Sequence, residues 1–107
     1  MLLAAGCGGE EPSLATPLVT ALSAHADSAA AHLEREEFCA ARTDAAALQR
    51  RTIAAINEGA VPAELQEELL GSVNALAEAV SCTPPNAADG AAEDARELSD
   101  WLELRAG

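Results

Sequence analysis

The side chains of this chain that could carry covalent or metal chemistry are few: three cysteines (Cys7, Cys39 and Cys82), two histidines (His25 and His32) and scattered serines. Zinc takes cysteine and histidine ligands in sets of three or four, held close together by short spacings. No Cys-x-x-Cys or His-x-x-x-His spacing occurs. His25 and His32 are seven residues apart. On a helix that places them on one face but about 10 Å apart along the axis, too far to grip one ion. The acids within their reach are Asp27 and, one turn past His32, Glu36. Solvated or half-buried histidines are the expectation, with no metal and no cofactor.

Nucleophilic catalysis fares no better. Cys39 would need a base held against it and a pocket to work in. Ser23, Ser28, Ser72, Ser81 and Ser99 lie in no nucleophile-elbow context. The pairs Glu36–Glu37 and Glu67–Glu68 are adjacent in sequence, so on a helix their carboxylates diverge. Asp89-Gly90 is too small a fragment of a calcium loop to hold that ion. The chain is therefore expected not to be an enzyme.

The elements that must position Cys39 and Cys82 follow from a turn. Asn57-Glu58-Gly59-Ala60-Val61-Pro62 supplies a glycine just past a helix end and a proline suited to the first position of the next helix. Glu64 and Glu67 are placed to meet that helix's dipole. Cys39 lies 21 residues before Ala60 and Cys82 lies 22 after it. In an antiparallel hairpin, residues equidistant from the turn face each other, here about 30 Å from it. A Cys39–Cys82 disulfide is thus expected at the open end of the hairpin. The alternatives are two reduced core cysteines or half of a metal site.

Apolar periodicity supports the same hairpin. Cys39, Ala41, Ala45, Leu48, Thr52, Ala55 and Ile56 recur along one helical face, and Leu65, Leu69, Val73, Leu76 and Val80 along another. Before them, Thr16 reads as an N-cap and Pro17 as a first helical position, opening a helix to about Arg35 with a stripe of Leu18, Leu22, Ala26, Ala29 and Leu33. No glycine or proline separates Leu33 from Ala45. A bend is nonetheless expected near Glu36 and Glu37, because one helix from Pro17 to Glu58 would leave half of itself without a packing partner. Phe38 should fill that corner.

Thr83-Pro84-Pro85-Asn86 stops the third helix. Asp89 can cap a last helix through Arg105, with Ala95, Leu98 and Leu102 on one face and Trp101 at its edge. That segment either docks through Trp101 or waits for a partner. The fold class is all-α: a small antiparallel bundle of three main helices plus a short C-terminal one, over residues 17–106.

The core is thin. Half of the 107 residues are apolar, yet there is one Trp, one Phe and no Tyr. Alanine buries little area, so a covalent staple fits the need of a small domain.

The N-terminus reads Leu3-Ala4-Ala5-Gly6-Cys7, followed by Gly, Glu, Pro and Ser. It resembles the lipobox of bacterial lipoproteins, in which a leucine and small residues precede the cysteine that receives the lipid. The resemblance implies a diacylglycerol thioether on Cys7, cleavage before it, and an address on the extracytoplasmic face of the cell membrane. It covers residues 3–7 and the linker after them. A secretory signal has a cationic start and an apolar run of about 7–15 residues. Residues 1–6 are therefore expected to be the remnant of a signal peptide starting upstream of Met1. Residues 7–16 would be the lipidated Cys7 and a flexible linker.

Eighteen acidic residues against six arginines give a net charge of −12. Such a surface repels nucleic acid and anionic headgroups, leaving lipid on Cys7 as the expected hold on a membrane. The functional expectation is a non-catalytic binding or accessory module for another envelope protein with a basic face. A structural spacer of the envelope, or a cytosolic helical adaptor, are the alternatives.

Overall fold

The computed structural model describes residues 12–107. Four helices follow one another: α1, Thr16–Glu34; α2, Phe38–Asn57; α3, Ala63–Ala79; and α4, Ala91–Leu104. The expectations at Cys7 and across residues 1–11 lie outside the described residues.

The helices form a ring. α1 packs against α2 on one side and α4 on the other, and α3 closes the ring diagonally opposite α1. Contacts made by side chains, to side chains or to backbone carbonyls, fix the directions. Ser28 and His32, late in α1, meet Asp44, early in α2. Arg42 and Gln49 of α2 meet Ala77 and Asn74 of α3 in reverse order. Arg96, early in α4, reaches Glu34 at the end of α1. Each helix thus runs antiparallel to both neighbours. α4, at 14 residues, is the shortest but a full wall of the bundle. Of the two fates open to it, the docked one is observed.

The stripes read from periodicity form the core. Leu18, Leu22, Ala26, Ala29 and Leu33 of α1 are buried, as are Ala41, Ala45, Leu48, Thr52 and Ala55 of α2. Leu65, Leu69, Val73 and Leu76 of α3, with Val80 just past it, and Ala95, Leu98 and Leu102 of α4 complete the interior. Ile56, Phe38 and Trp101 are partly buried against it.

Two helix ends share one mechanism. After α2, Gly59 adopts φ 78°, and the amides of Gly59 and Ala60 donate to the carbonyls of Ile56 and Ala55. This reciprocal pair satisfies carbonyls that the helix end leaves open. After α1, Glu36 takes the same left-handed position, at φ 61°. The amides of Glu36 and Glu37 there donate to the carbonyls of Leu33 and His32. The bend expected at Glu36–Glu37 is present, made by a residue that pays a steric penalty glycine would avoid.

The helix starts differ from expectation. Thr16 is already helical, the cap position falls to Ala15, and no side chain caps the end. Pro62 holds the cap position of α3 rather than its first turn, and Glu64 is the acid of that turn, with Glu67 further on. Gly90, at φ 81°, takes the place expected for Asp89 at α4. Its free choice of φ turns the chain sharply enough that a side-chain cap is not used.

The fold also begins earlier than residue 17. Leu14, expected in the linker, is 1% exposed. Its amide donates to the Arg105 carbonyl at 2.7 Å, and its own carbonyl accepts from Gly107 at 2.9 Å. Burying a large apolar side chain among alanine-rich helices outweighs the entropy of ordering three more residues.

Candidate functional site

The sequence-expected pair Cys39–Cys82 is brought together. Cys39 sits in the first turn of α2, and Cys82 follows the bridge that Val80 makes with Ala87. The sulfurs are at bonding distance and the Cα atoms are 4.4 Å apart, near the lower limit of disulfide geometry. Both residues are exposed rather than in the core. Cys39 therefore lies at the rim of the apolar face assigned to it, because the helix has only just begun there. Phe38 occupies the corner beside it, facing Leu33 and the 87–93 segment across a cavity of about 450 Å3.

A polar cluster not foreseen from sequence lies between α1 and α2. His32 Nδ1 is 2.6 Å from Asp44 Oδ2, and the Ser28 hydroxyl donates to the same oxygen at 2.9 Å. His32 Nε2 is 3.8 Å from Glu37 Oε1. The acids that meet His32 are thus Asp44 and Glu37, in place of Asp27 and Glu36. A carboxylate only accepts, so the Nδ1 of His32 must carry the proton. The side chains of His32 and Asp44 are 27% and 19% exposed, enough burial for the contact to matter and enough access for water to reach it.

This trio has the residue types of a catalytic triad but not its wiring. Nucleophilic catalysis needs the imidazole between serine and carboxylate, with one nitrogen facing each. Here Ser28 and His32 both donate to Asp44, and the second imidazole nitrogen turns toward Glu37. Among the described residues no base faces the Ser28 hydroxyl, and the cluster ties α1 to α2 through Asp44. His25 lies two turns earlier, half-buried, outside it. Among the described residues no group of three or more His, Cys, Asp or Glu side chains is arranged to hold a metal ion.

A signal for the cluster was present. Asp44 sits three residues after Ala41 and four before Leu48, at the edge of a buried stripe. Ser28 and His32 are spaced i, i+4 on the facing helix. A polar residue at helix-interface spacing needs a partner across the interface.

The same end of the bundle carries an exposed clamp. The Arg96 guanidinium donates to both carboxylate oxygens of Glu34, at 3.1 and 2.8 Å. This bond holds the Glu34 carboxyl below its ordinary value against an opposing desolvation, with smaller help from the charges of Arg96 and Arg35. Glu34 raises Arg96 in return.

At the opposite edge, the Arg105 guanidinium lies 4.2 Å from the centre of the Trp101 ring, a cation–π arrangement. No helix among the described residues is long and apolar enough to cross a membrane. No protein-family model, curated protein or solved structure matches the chain.

Proposed function

We propose that this chain is an extracytoplasmic lipoprotein, anchored to the cell membrane by lipid on Cys7, whose helical bundle is a non-catalytic binding module for another envelope protein. The observation that carries the reading is the exposed Cys39–Cys82 pair at disulfide distance. Such a bond persists in oxidising compartments and is kept reduced in most cytosols. The address it favours is the one that the lipobox-like Leu3-Ala4-Ala5-Gly6-Cys7 implies independently.

The binding role rests on the absence of a wired catalytic group at His32 and on the acidic surface. A net charge of −12 favours a partner with a basic face, met with electrostatic help to the encounter rate.

The test is the intact mass of the protein extracted without reductant from membranes of its native host, expressed from its own genomic locus. A species that begins at Cys7, carries lipid and lacks two hydrogens is expected. A soluble species with Met1 and three free thiols would overturn the reading and favour a cytosolic adaptor.

A further inference from the structure

α3 and α4 are the least closely packed neighbours in the ring. Between them lies a cleft of about 270 Å3. Its apolar part comes from Ala75 and Leu76 of α3 and from Leu98 and Trp101 of α4, while Asp94 and Glu97 supply carboxylates. Leu76 and Leu98 are buried beneath, whereas both acids are exposed. Among the described residues no basic side chain lines the cleft.

Sites for small organic ligands enclose roughly 300–1,000 Å3. This cleft falls just below that range, a size suited to an inserted side chain. Its chemistry is apolar beneath and anionic at the edge. That is the complement of an arginine, whose aliphatic stem covers apolar surface while its planar head pairs with carboxylates. The molecule already stacks a guanidinium on this same indole, that of Arg105, so the ring's environment accepts such a group. The Trp101 Nε1 is buried without a hydrogen-bond partner among the described residues, leaving a donor that a backbone carbonyl could satisfy after a small ring movement.

We infer that the α3–α4 cleft is a docking site for an arginine-bearing segment of a partner protein. The arginine stem lies over Leu76 and Leu98, and its guanidinium pairs with Asp94 and Glu97. This deepens the binding-module reading and rests on it. Arginine is among the side chains that most often dominate interface energetics when held in such a cleft.

Trp101 is the one tryptophan of the chain, so its emission reports on the cleft directly. The full chain, in solution at low salt, is titrated to millimolar concentration with a short capped peptide of alanines and arginines. A version with citrulline in place of arginine keeps the shape and removes the charge. A saturable change in emission with the arginine peptide alone is expected. The Asp94→Asn, Glu97→Gln double variant should weaken it by about tenfold, given exposed ion pairs. Ala75→Phe, at an exposed position, should abolish it with the helical circular dichroism unchanged.

No saturable change, equal binding of the citrulline peptide, or unaltered affinity in the double variant would overturn the inference. A concentration-dependent change without peptide would also overturn it, pointing to a second copy in the cleft. The titration does not depend on lipid, so its failure is distinct from a failure of the Cys7 mass measurement.

Discussion

Removing the Cys39–Cys82 link should cost this domain a large share of its stability. The two cysteines are 43 residues apart in sequence. In the chain-entropy treatment, closing a loop of that length in the unfolded state is worth about 4 kcal/mol at 25 °C. Small domains have about 5–15 kcal/mol in total, and this one has an alanine-rich core. The remaining ties across the α2–α3 pair are polar and partly solvated: Arg42 to the Ala77 carbonyl at 3.1 Å and Gln49 to Asn74 at 2.8 Å. They should not compensate, since a net hydrogen bond contributes only about 0.5–1.5 kcal/mol and they are already present. The Cys39→Ser, Cys82→Ser variant is therefore expected to melt roughly 15–30 °C lower, at about 4–8 °C per kcal/mol for a domain of this size. Urea unfolding adds a second reading. A cross-linked unfolded chain exposes less surface, so the slope of stability against urea should steepen in the variant. A loss below about 1 kcal/mol with an unchanged slope would refute the reasoning, because the link would then not be constraining the unfolded chain.

Three further outcomes follow from local geometry. Glu36→Gly should stabilise the protein by about 0.5–1 kcal/mol in denaturant unfolding, since a left-handed φ costs an L-residue more than glycine's added chain entropy; a loss would mean that the Glu36 side chain has a role of its own. Asp44→Ala should destabilise by about 1–3 kcal/mol by stranding Ser28 and His32, and adding Ser28→Ala should cost less than the sum of the two. The Glu34–Arg96 clamp sets an acid limb. Because the Glu34 carboxyl is lowered from its ordinary 4.5, its contribution is complete above that pH and is lost as pH falls through the lowered value. Thermal melts from pH 6 to pH 2 should show a shallower acid limb in Arg96→Ala, and identical limbs would remove the pair from the account.

Helix identity was legible because burial follows the stripes so closely: Leu65, Leu69, Val73, Leu76 and Val80 were read from spacing alone, and all are buried. The Cys39–Cys82 pairing was legible for a related reason, as distance from a turn translates directly into height along a hairpin. The α1–α2 bend was inferred from packing need, without any glycine to announce it. Glu36 shows why local signals were silent there: two backbone hydrogen bonds hold a residue in a conformation its type disfavours. The helix starts were misjudged at Thr16 and Asp89 because side-chain capping is one of several ways to satisfy open amides, and the backbone chose others. Leu14 was hidden by the Gly, Glu and Pro residues before it. The Ser28–Asp44–His32 cluster and the Glu34–Arg96 clamp each join residues on different helices. Stripes show which face is buried, but not which polar residue stands opposite which.

The two hydrogen bonds at Leu14 also determine how the molecule would bear a load. A pull transmitted through residue 12 reaches the folded body first at Leu14, whose amide and carbonyl are held by Arg105 and Gly107. The local pairing there is parallel, so force along the incoming chain shears both bonds together instead of opening them one at a time. The strain passes into the C-terminus of α4 as well as the start of α1, spreading it over two helices. The same arrangement separates the two ends of the bundle. The α2–α3 turn shares this end, since Leu65 lines a cavity with Pro12 and Ser13. The Cys39–Cys82 end, with Glu34 and Arg96, therefore lies at the far end of the bundle from Leu14. A tag fused after Gly107 would sit beside Leu14, at the opposite end of the bundle from Cys39 and Cys82.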